Sequence, residues 1–185
     1  MEKRLFIGIK IEPSDKLLGI YEEIKLNLEP EKIKWITKEN MHITLKFLGN
    51  TDIKLITQIK EVIKNSITHY KPFQLELKGI DCFTKNKQIK VIWMGIDTNS
   101  EINALANHLI NKMENLGFEN EQRDFKAHLT LGRVNSNINE EKIQRIMSYY
   151  QDEIIQKVIV SEMILFESLS SQQGPKYIPI EKFHL

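Results

Sequence analysis

The chain has 185 residues, of which 41% are hydrophobic and 28% are charged, so it carries too much apolar material for a disordered protein. Its 26 basic and 25 acidic residues give a formal charge of +1, which argues against a broad basic face that coats nucleic acid. The single cysteine, Cys82, excludes an intramolecular disulfide and a multi-cysteine zinc site.

The first third of the chain predicts alternating strands and helices. Residues 5–10 have the apolar content of a strand, and Ser14 is placed to cap a helix that Pro30 ends. Residues 41–48 predict another strand, and Asp52 is placed to cap a second helix.

The same alternation continues to the end of the chain. The remaining predicted elements are strands at 73–78, 89–96 and 127–134, a helix capped by Asn99 or Ser100, a helix over 143–150, and closing strands at 157–166 and 177–184. No apolar region of the signal-peptide type follows the first residues, and no apolar run reaches the about 20 residues of a membrane span. We therefore expect a cytoplasmic protein without a membrane segment.

A short motif occurs twice. His42-Ile43-Thr44 and His128-Leu129-Thr130 lie 86 positions apart, as do Ser14 and Ser100. The run Phe6–Ile9 also resembles Trp93–Ile96 at an offset of 87. These spacings predict one bilobal domain over 1–185 with an internal duplication. A pseudo-twofold axis would then bring the two His-x-Thr strands face to face.

Each motif combines an imidazole and a hydroxyl on one side of a strand. Because side chains alternate along a strand, His42 and Thr44 share a face, as do His128 and Thr130. Two imidazoles can serve as the acid and the base in the displacement at a phosphorus, while the threonines bind its oxygens. No acidic residue stands at metal-ligand spacing, so we expect neither a metal nor another cofactor.

Two cations and two aromatic rings near the motifs are further candidates for substrate contact. Strict alternation places Lys46 on the face of His42, but it points Arg133 backwards unless Gly132 permits a bulge that redirects it. Phe47 falls on the apolar face by alternation, yet Phe47 and Phe125 could stack on a terminal base. Arg133 would offset phosphate charge.

These motifs resemble the two-histidine phosphoesterase superfamily, and most closely its bacterial and archaeal RNA 2',3'-cyclic phosphodiesterases, first named for 2'-5' RNA ligase activity. The resemblance spans nearly the whole chain, with Ala127 where the family commonly has proline. It is carried by residues 4–9, by Trp35 with 40–49, by 125–133, by 166–168, and by Gly174, Tyr177 and Phe183.

The resemblance implies an α+β fold in which antiparallel sheets line a central cleft and helices pack outside. It implies hydrolysis of a terminal RNA 2',3'-cyclic phosphate, on tRNA fragments for example, to a 2'-phosphomonoester, with possible reversal as 2'-5' ligation. In that scheme His42 is the acid that protonates the 3'-oxygen and His128 is the base that activates water. Thr44, Thr130 and Arg133 hold the phosphate. The pseudo-symmetry allows the two histidine roles to be exchanged.

Two alternatives to an RNA hydrolase remain at this level. One is a superfamily enzyme that acts on a small cyclic nucleotide. The other is a nucleotide or RNA-end binding module without turnover, which would not need both imidazoles. We expect a monomer in either case.

Overall fold

A curled antiparallel sheet runs through the molecule, with helices packed against it. The computed structural model describes residues 1–29, 31–97, 100–119, 124–135, 138–172 and 174–185. Pro30 and Asn99, predicted to end one helix and to cap another, lie outside the described residues.

Within these ranges the chain forms nine strands and four α-helices. The strands are β1 (Glu2–Lys10), β2 (Ile33–Trp35), β3 (His42–Asp52), β4 (Phe73–Lys85), β5 (Gln88–Ile96), β6 (His128–Val134), β7 (Ile154–Val160), β8 (Glu162–Ser171) and β9 (Gly174–His184). The α-helices are α1 (Asp15–Asn27), α2 (Ile56–Ile67), α3 (Ser100–Glu114) and α4 (Glu140–Tyr150).

The predicted helix starts are confirmed at Ser14 and modified at Asp52. The Ser14 hydroxyl accepts a hydrogen bond of 3.2 Å from the amide of Leu17, which satisfies one of the free donors at the start of α1. The Asp52 carboxylate accepts from the amide of Lys54 at 3.1 Å, and so caps a short 3-10 turn that precedes α2.

The strand order is β7-β4-β5-β6-β3-β1-β8-β9, and β2 pairs with β6 beside this path. The predicted single strand at 157–166 is wrong, because the chain forms β7 and β8 there, with Ser161 between them. β7 pairs with β4, whereas β8 pairs with β1 in the other half of the sheet. The chain crosses from one half to the other at this break, as it also does between β3 and β4.

The two halves of the sheet meet where β3 pairs with β6, through the residues Ile43 and Leu129. Helix α1 packs against β7 and α4 against β4, while α2 packs against β9 and α3 against β3. The predicted α+β fold with antiparallel strands and outer helices is confirmed. The resemblance implied separate antiparallel sheets, whereas the structure has one continuous sheet with two halves.

Strand pairing shows which residues of the two halves correspond. The offset between them differs from the one that the sequence resemblance suggested. Gly8 pairs with Thr44, and Trp93 pairs with Thr130, so Gly8 corresponds to Trp93 at an offset of 85. The resemblance of Phe6–Ile9 to Trp93–Ile96 had suggested an offset of 87. The matched registers support the predicted duplication and move its alignment by two residues in the first strand.

The apolar residues divide between the two faces of the sheet. The main core lies under the helices and includes Leu5 and Ile7. Phe6, which alternates with them, belongs to a separate buried cluster with Ile164 and Phe166, against which Tyr177 packs. The face opposite the helices thus has an aromatic floor on the β1 side of the sheet.

Candidate active site

The two His-x-Thr motifs face each other at the junction of the two halves. Because β3 and β6 run antiparallel and Ile43 pairs with Leu129, His42 lies across from Thr130, and Thr44 lies across from His128. Ile43 and Leu129 are fully buried, while the four polar side chains are half-buried. The strands therefore present two imidazoles and two hydroxyls as one group on the face away from the helices.

Both imidazoles are held in the same way by the backbone before them. Nδ1 of His42 lies 2.6 Å from the carbonyl oxygen of Asn40, and Nδ1 of His128 lies 2.7 Å from that of Lys126. A carbonyl oxygen only accepts, so each Nδ1 carries the proton and donates. Each Nε2 is thereby left to accept or deliver a proton in a reaction.

Aromatic rings fix the orientation of each imidazole. The His42 ring lies 4.9 Å from the rings of both Phe6 and Tyr177. The His128 ring lies 4.9 Å from Phe83, edge to face, and 5.9 Å from Trp93. Each histidine thus packs against one ring from the strand next to its own and one ring from a more distant strand of the sheet, in geometries that aromatic pairs favour.

The surroundings lower the pKa of both histidines. Burial is the main cause for His42, and the positive charge of Arg133 and the neighbouring His128 act in the same direction. Burial again dominates for His128, and the cations Arg133 and Lys126 add to it. The carbonyl bonds oppose these effects by favouring the charged rings. Both imidazoles are therefore predominantly neutral at neutral pH.

A bulge brings Arg133 to the site. Ile92 pairs with Gly132 and Trp93 with Thr130, so Leu131 is skipped in the register of β6. After the bulge Arg133 is exposed, and its charge acts on both histidines. The structure thus has the redirection that Gly132 was expected to permit.

The corresponding bulge in β3 reverses the predicted positions of Lys46 and Phe47. Ile7 pairs with Lys46 and Gly8 with Thr44, so Leu45 is skipped. Lys46 is consequently 2% exposed, and its ammonium donates to the carbonyl of Glu119 at 2.7 Å. The prediction that Lys46 shares the face of His42 is wrong for this reason.

Phe47 was predicted to face the core, but it lies on the exposed face of β3. It is 50% exposed and lies 5.9 Å from the ring of Phe6, on the site face. The alternation that assigned Phe47 to the core fails at the same bulge. Phe47 and Arg133 occupy corresponding positions of β3 and β6, and both are available to a substrate.

Phe125 lies apart from the four central side chains. It is half-buried, packs against the main core and lines a small cavity with Trp93 and Lys126. Lys126 extends along the same wall, with its ammonium 4.3 Å above the Trp93 ring. In the described parts of the chain, no three His, Cys, Asp or Glu side chains are grouped as metal ligands would be.

Sequence reasoning missed the residues that support the histidines. Phe6 and Tyr177 were recognised only as parts of family-like segments, and Phe83 and Trp93 were given no role at the site. Alternation along β1 could have placed Phe6 beside the site. The approach of Tyr177 and Phe83 depends on strand pairing, which no local pattern indicates.

Comparison with known proteins identifies a family. The family model of the 2'-5' RNA ligase superfamily matches residues 13–170. The RNA 2',3'-cyclic phosphodiesterase of Archaeoglobus fulgidus is 31% identical over 97% of this chain and 99% of its own length. The enzyme of the same name from Methanothermobacter thermautotrophicus is 28% identical over the full length of both chains.

Solved structures agree on the fold. E. coli LigT in complex with 3'-AMP superposes with a TM-score of 0.80 at 20% identity, over 100% of this chain and 99% of LigT. A protein from Thermus thermophilus superposes with a TM-score of 0.79 at 20% identity, over 98% and 97% of the two chains. Among the described residues, no helix has both the length and the apolar character that a membrane span needs.

Proposed function

This chain belongs to the 2'-5' RNA ligase superfamily, and we propose that it is an RNA 2',3'-cyclic phosphodiesterase that opens a terminal cyclic phosphate to a 2'-phosphomonoester. The observation that carries the proposal is the pair of imidazoles, each with Nδ1 bound to a backbone carbonyl and Nε2 available. Full-length relatives that carry this enzyme name support the choice of substrate.

In the proposed reaction the phosphorus lies between the two histidines. Nε2 of neutral His128 takes a proton from water as the water oxygen attacks phosphorus. Protonated His42 gives its Nε2 proton to the departing 3'-oxygen, so the P–O3' bond breaks and the phosphate stays on the 2'-oxygen. The hydroxyls of Thr44 and Thr130 donate to the non-bridging oxygens.

Arg133 contributes charge rather than proton transfer. Its guanidinium offsets the negative charge of the phosphate, which grows as the nucleophile adds. A bound phosphate also places a negative charge beside the histidines, which raises the pKa of an imidazole and favours the protonated acid. The same steps with an RNA 5'-hydroxyl in place of water give 2'-5' ligation, since the O5'–P bond forms as the P–O3' bond breaks.

The test is an RNA oligonucleotide ending in a 2',3'-cyclic phosphate, incubated with the purified protein in excess chelator. We expect a 2'-phosphomonoester product. His42→Ala and His128→Ala should each reduce kcat about 10²–10⁴-fold, the usual contribution of a general acid or base. His69→Ala is the matched control, because His69 is exposed and lies outside the motif strands, between α2 and β4.

Small cyclic nucleotides are assayed in parallel, to distinguish an RNA hydrolase from an enzyme that acts on this alternative substrate class. Unchanged RNA between pH 6 and 8, or equal preference for a 3',5'-cyclic nucleotide, would contradict the substrate assignment. Activity that persists in both histidine variants would contradict the mechanism.

A further inference from the structure

The start of β9 contacts the segment that precedes His42. The side-chain amide of Asn40 donates a hydrogen bond of 2.7 Å to the carbonyl oxygen of Pro175, 135 positions further along the chain. The carbonyl oxygen of the same Asn40 accepts from Nδ1 of His42. Asn40 therefore connects the imidazole, through a single residue, to a strand from the far end of the chain.

The turn that carries Asn40 is held weakly by its own hydrogen bonds. Asn40 ends the 3-10 turn Lys38–Asn40, and its N–H donates to the carbonyl of Thr37 at 2.9 Å. The N–H of Met41 donates to the carbonyl of Lys38 at the longer distance of 3.3 Å. Hydrogen bonds of 3-10 turns have poorer geometry than those of α-helices. The bond to Pro175 thus adds a tertiary anchor to a turn whose local bonds are weak.

Strand β9 acts on His42 at two points. The ring of Tyr177, two residues after Pro175, packs edge to face against the imidazole with 4.9 Å between the ring centroids. Pro175 itself holds the residue whose carbonyl accepts from Nδ1. One strand therefore supports both the plane of the ring and the partner of Nδ1. The partner matters because the bond at one ring nitrogen decides which of the two carries the proton.

The corresponding residue of the other half, Lys126, is anchored differently. Its carbonyl binds Nδ1 of His128, but its side chain is 58% exposed and pairs with Asp81 at 3.5 Å. Its ammonium also lies 4.3 Å above the ring of Trp93. Exposed ion pairs contribute little to stability. The amide bond behind His42 is part-buried and has a fixed acceptor, so the two histidines differ in how their carbonyl partners are held.

We propose that Asn40 is a positioning residue for the acid of the reaction, and that its side-chain bond to Pro175 keeps its own carbonyl against Nδ1 of His42. The bond keeps Nε2 as the nitrogen that gives the proton to the leaving oxygen. The role in turnover rests on the proposed function. The effect on the imidazole requires no substrate, so the two can be tested separately.

Asn40 is neutral, so replacing it by alanine leaves the charges around His42 in place. Those charged and titratable groups come from the elements packed beside the ring: Arg133 and His128 of β6, Lys10 of β1, Glu12 after β1, Glu39 of the turn, Glu162 of β8, and Tyr177 and Lys182 of β9. The carbonyl bond favours the charged ring. Its loss should therefore lower the pKa of His42 further.

Nitrogen NMR of the imidazoles in Asn40→Ala is the direct test. In the wild type we expect the neutral His42 ring to carry its proton on Nδ1. In Asn40→Ala the tautomer protonated on Nε2 should appear, and the pKa of His42 should fall. His128, whose carbonyl partner is unchanged, is the internal reference. A tautomer and a pKa of His42 that match the wild type would overturn the proposal.

Turnover of an RNA ending in a 2',3'-cyclic phosphate tests the consequence for the reaction. In Asn40→Ala we expect kcat to fall about three- to tenfold, the range that one hydrogen bond contributes. The maximum of the pH profile should move to lower pH, because the acid has a lower pKa. KM should change little, since the threonines and Arg133 still bind the phosphate. A rise in KM alone would make Asn40 a substrate contact and overturn the positioning role.

A matched control removes the same kind of bond elsewhere. The amide of Asn27 donates to the carbonyl of Glu23 at 2.9 Å on the exposed surface of α1. Asn27→Ala should leave the His42 tautomer, its pKa and kcat unchanged. Equal changes in Asn27→Ala and Asn40→Ala would overturn the proposal, because they would show a general effect of lost stability.

A second variant tests the anchor from the side of β9. Gly174 has a φ of +119°, which residues with a Cβ rarely adopt, so Gly174→Ala should displace the start of the strand. We expect the same change of tautomer at His42 with Asn40 intact. If Asn40→Ala does not fold, the spectrum of Gly174→Ala decides, and a wild-type tautomer there overturns the proposal. Absence of turnover by the wild type would instead contradict the proposed function, while the spectra would still test the anchor.

Discussion

At the scale of residues, each imidazole is oriented by a backbone carbonyl and by rings on its outer side. Asn40 and Lys126 use only their carbonyl oxygens for this, so the side chain at that position can differ between the halves. Lys126 places a cation near His128, where Asn40 places a neutral amide near His42. The two otherwise matched histidines thereby differ in their electrostatic surroundings.

Arg133 is the residue whose removal should change the pH dependence most clearly. Its charge helps to lower the pKa of both histidines from the ordinary value of 6.5. The mechanism needs one protonated and one neutral ring, so kcat/KM for the wild type should be highest below pH 6.5 and fall as the pH rises. Arg133→Gln raises both pKa values and should move the maximum to higher pH.

The same variant should also lower kcat/KM, because the phosphate loses its cation. Arg133→Lys is the matched control, since it keeps the charge and should keep the position of the maximum. The measurement is the pH profile of kcat/KM on a 2',3'-cyclic phosphate substrate. A maximum that stays in place in Arg133→Gln would contradict the electrostatic coupling.

At the scale of elements, matching bulges just after Thr44 in β3 and just after Thr130 in β6 decide which side chains reach the substrate. These two bulges skip Leu45 and Leu131, and a further bulge in β3 skips Leu48. Leu45 is buried together with Lys46, and Leu131 together with Gly132, because a bulge lets two successive residues face the same side. The residues that follow therefore change faces, and Arg133 and Phe47 reach the site.

Gly132 makes the bulge in β6 compatible with the packing of β2. A Cβ at this position would lie 2.7 Å from Cγ2 of Ile33 and 3.0 Å from Cε3 of Trp35. Trp35 is itself held edge to face against Tyr21, at 5.7 Å. We expect Gly132→Ala to destabilise the protein by about 1–3 kcal/mol, the usual cost of an overpacked site.

The control for this prediction is the same substitution in α1. Gly19 is exposed in the helix, and a Cβ there meets nothing within 4 Å. Gly19→Ala should stabilise the protein by about 0.5–1 kcal/mol through helix propensity. Urea unfolding measures both variants, and a Gly132→Ala protein as stable as the wild type would show that β2 adapts freely.

At the scale of the whole molecule, the site exists only because the two halves meet at β3 and β6. Each half contributes one histidine and one threonine, and the buried residues Ile43 and Leu129 set their alignment. Helix α3 follows β5 in one half but packs against β3 in the other, so the helices also tie the halves together. We propose that this arrangement arose from a duplicated unit.

Truncation of a buried side chain at this junction should lower activity more than an equally destabilising truncation elsewhere in the core. Leu129→Ala should cost about 2–5 kcal/mol, as buried leucine truncations do. Leu75→Ala, in β4 and equally buried, is the matched control and should cost a similar amount. Of these two leucines, only Leu129 pairs with Ile43 at the junction that aligns the histidines. We therefore expect only Leu129→Ala to reduce kcat well below the temperature of unfolding. Equal kcat values in the two variants would contradict this.

The resemblance of the sequence to a known family implied the α+β class, and the sequence by itself determined the motif histidines and threonines and most of the helices and strands. These depend on local signals: side-chain alternation, helical spacing, a capping serine and two copies of one tripeptide. The departures lie where the pattern is broken, as at Leu45 and Leu131, because a bulge changes the face of the residues that follow it.

Only the tertiary structure decided which residues surround the histidines. Tyr177 comes from the far end of the chain and Phe83 from another strand, and each reaches its imidazole through the order of strands in the sheet. Lys46 was expected on the site face and Phe47 in the core. The pairing of β3 with β1 reverses these positions. Pairing between distant segments is set by burial of the whole sheet, which short stretches of sequence do not encode.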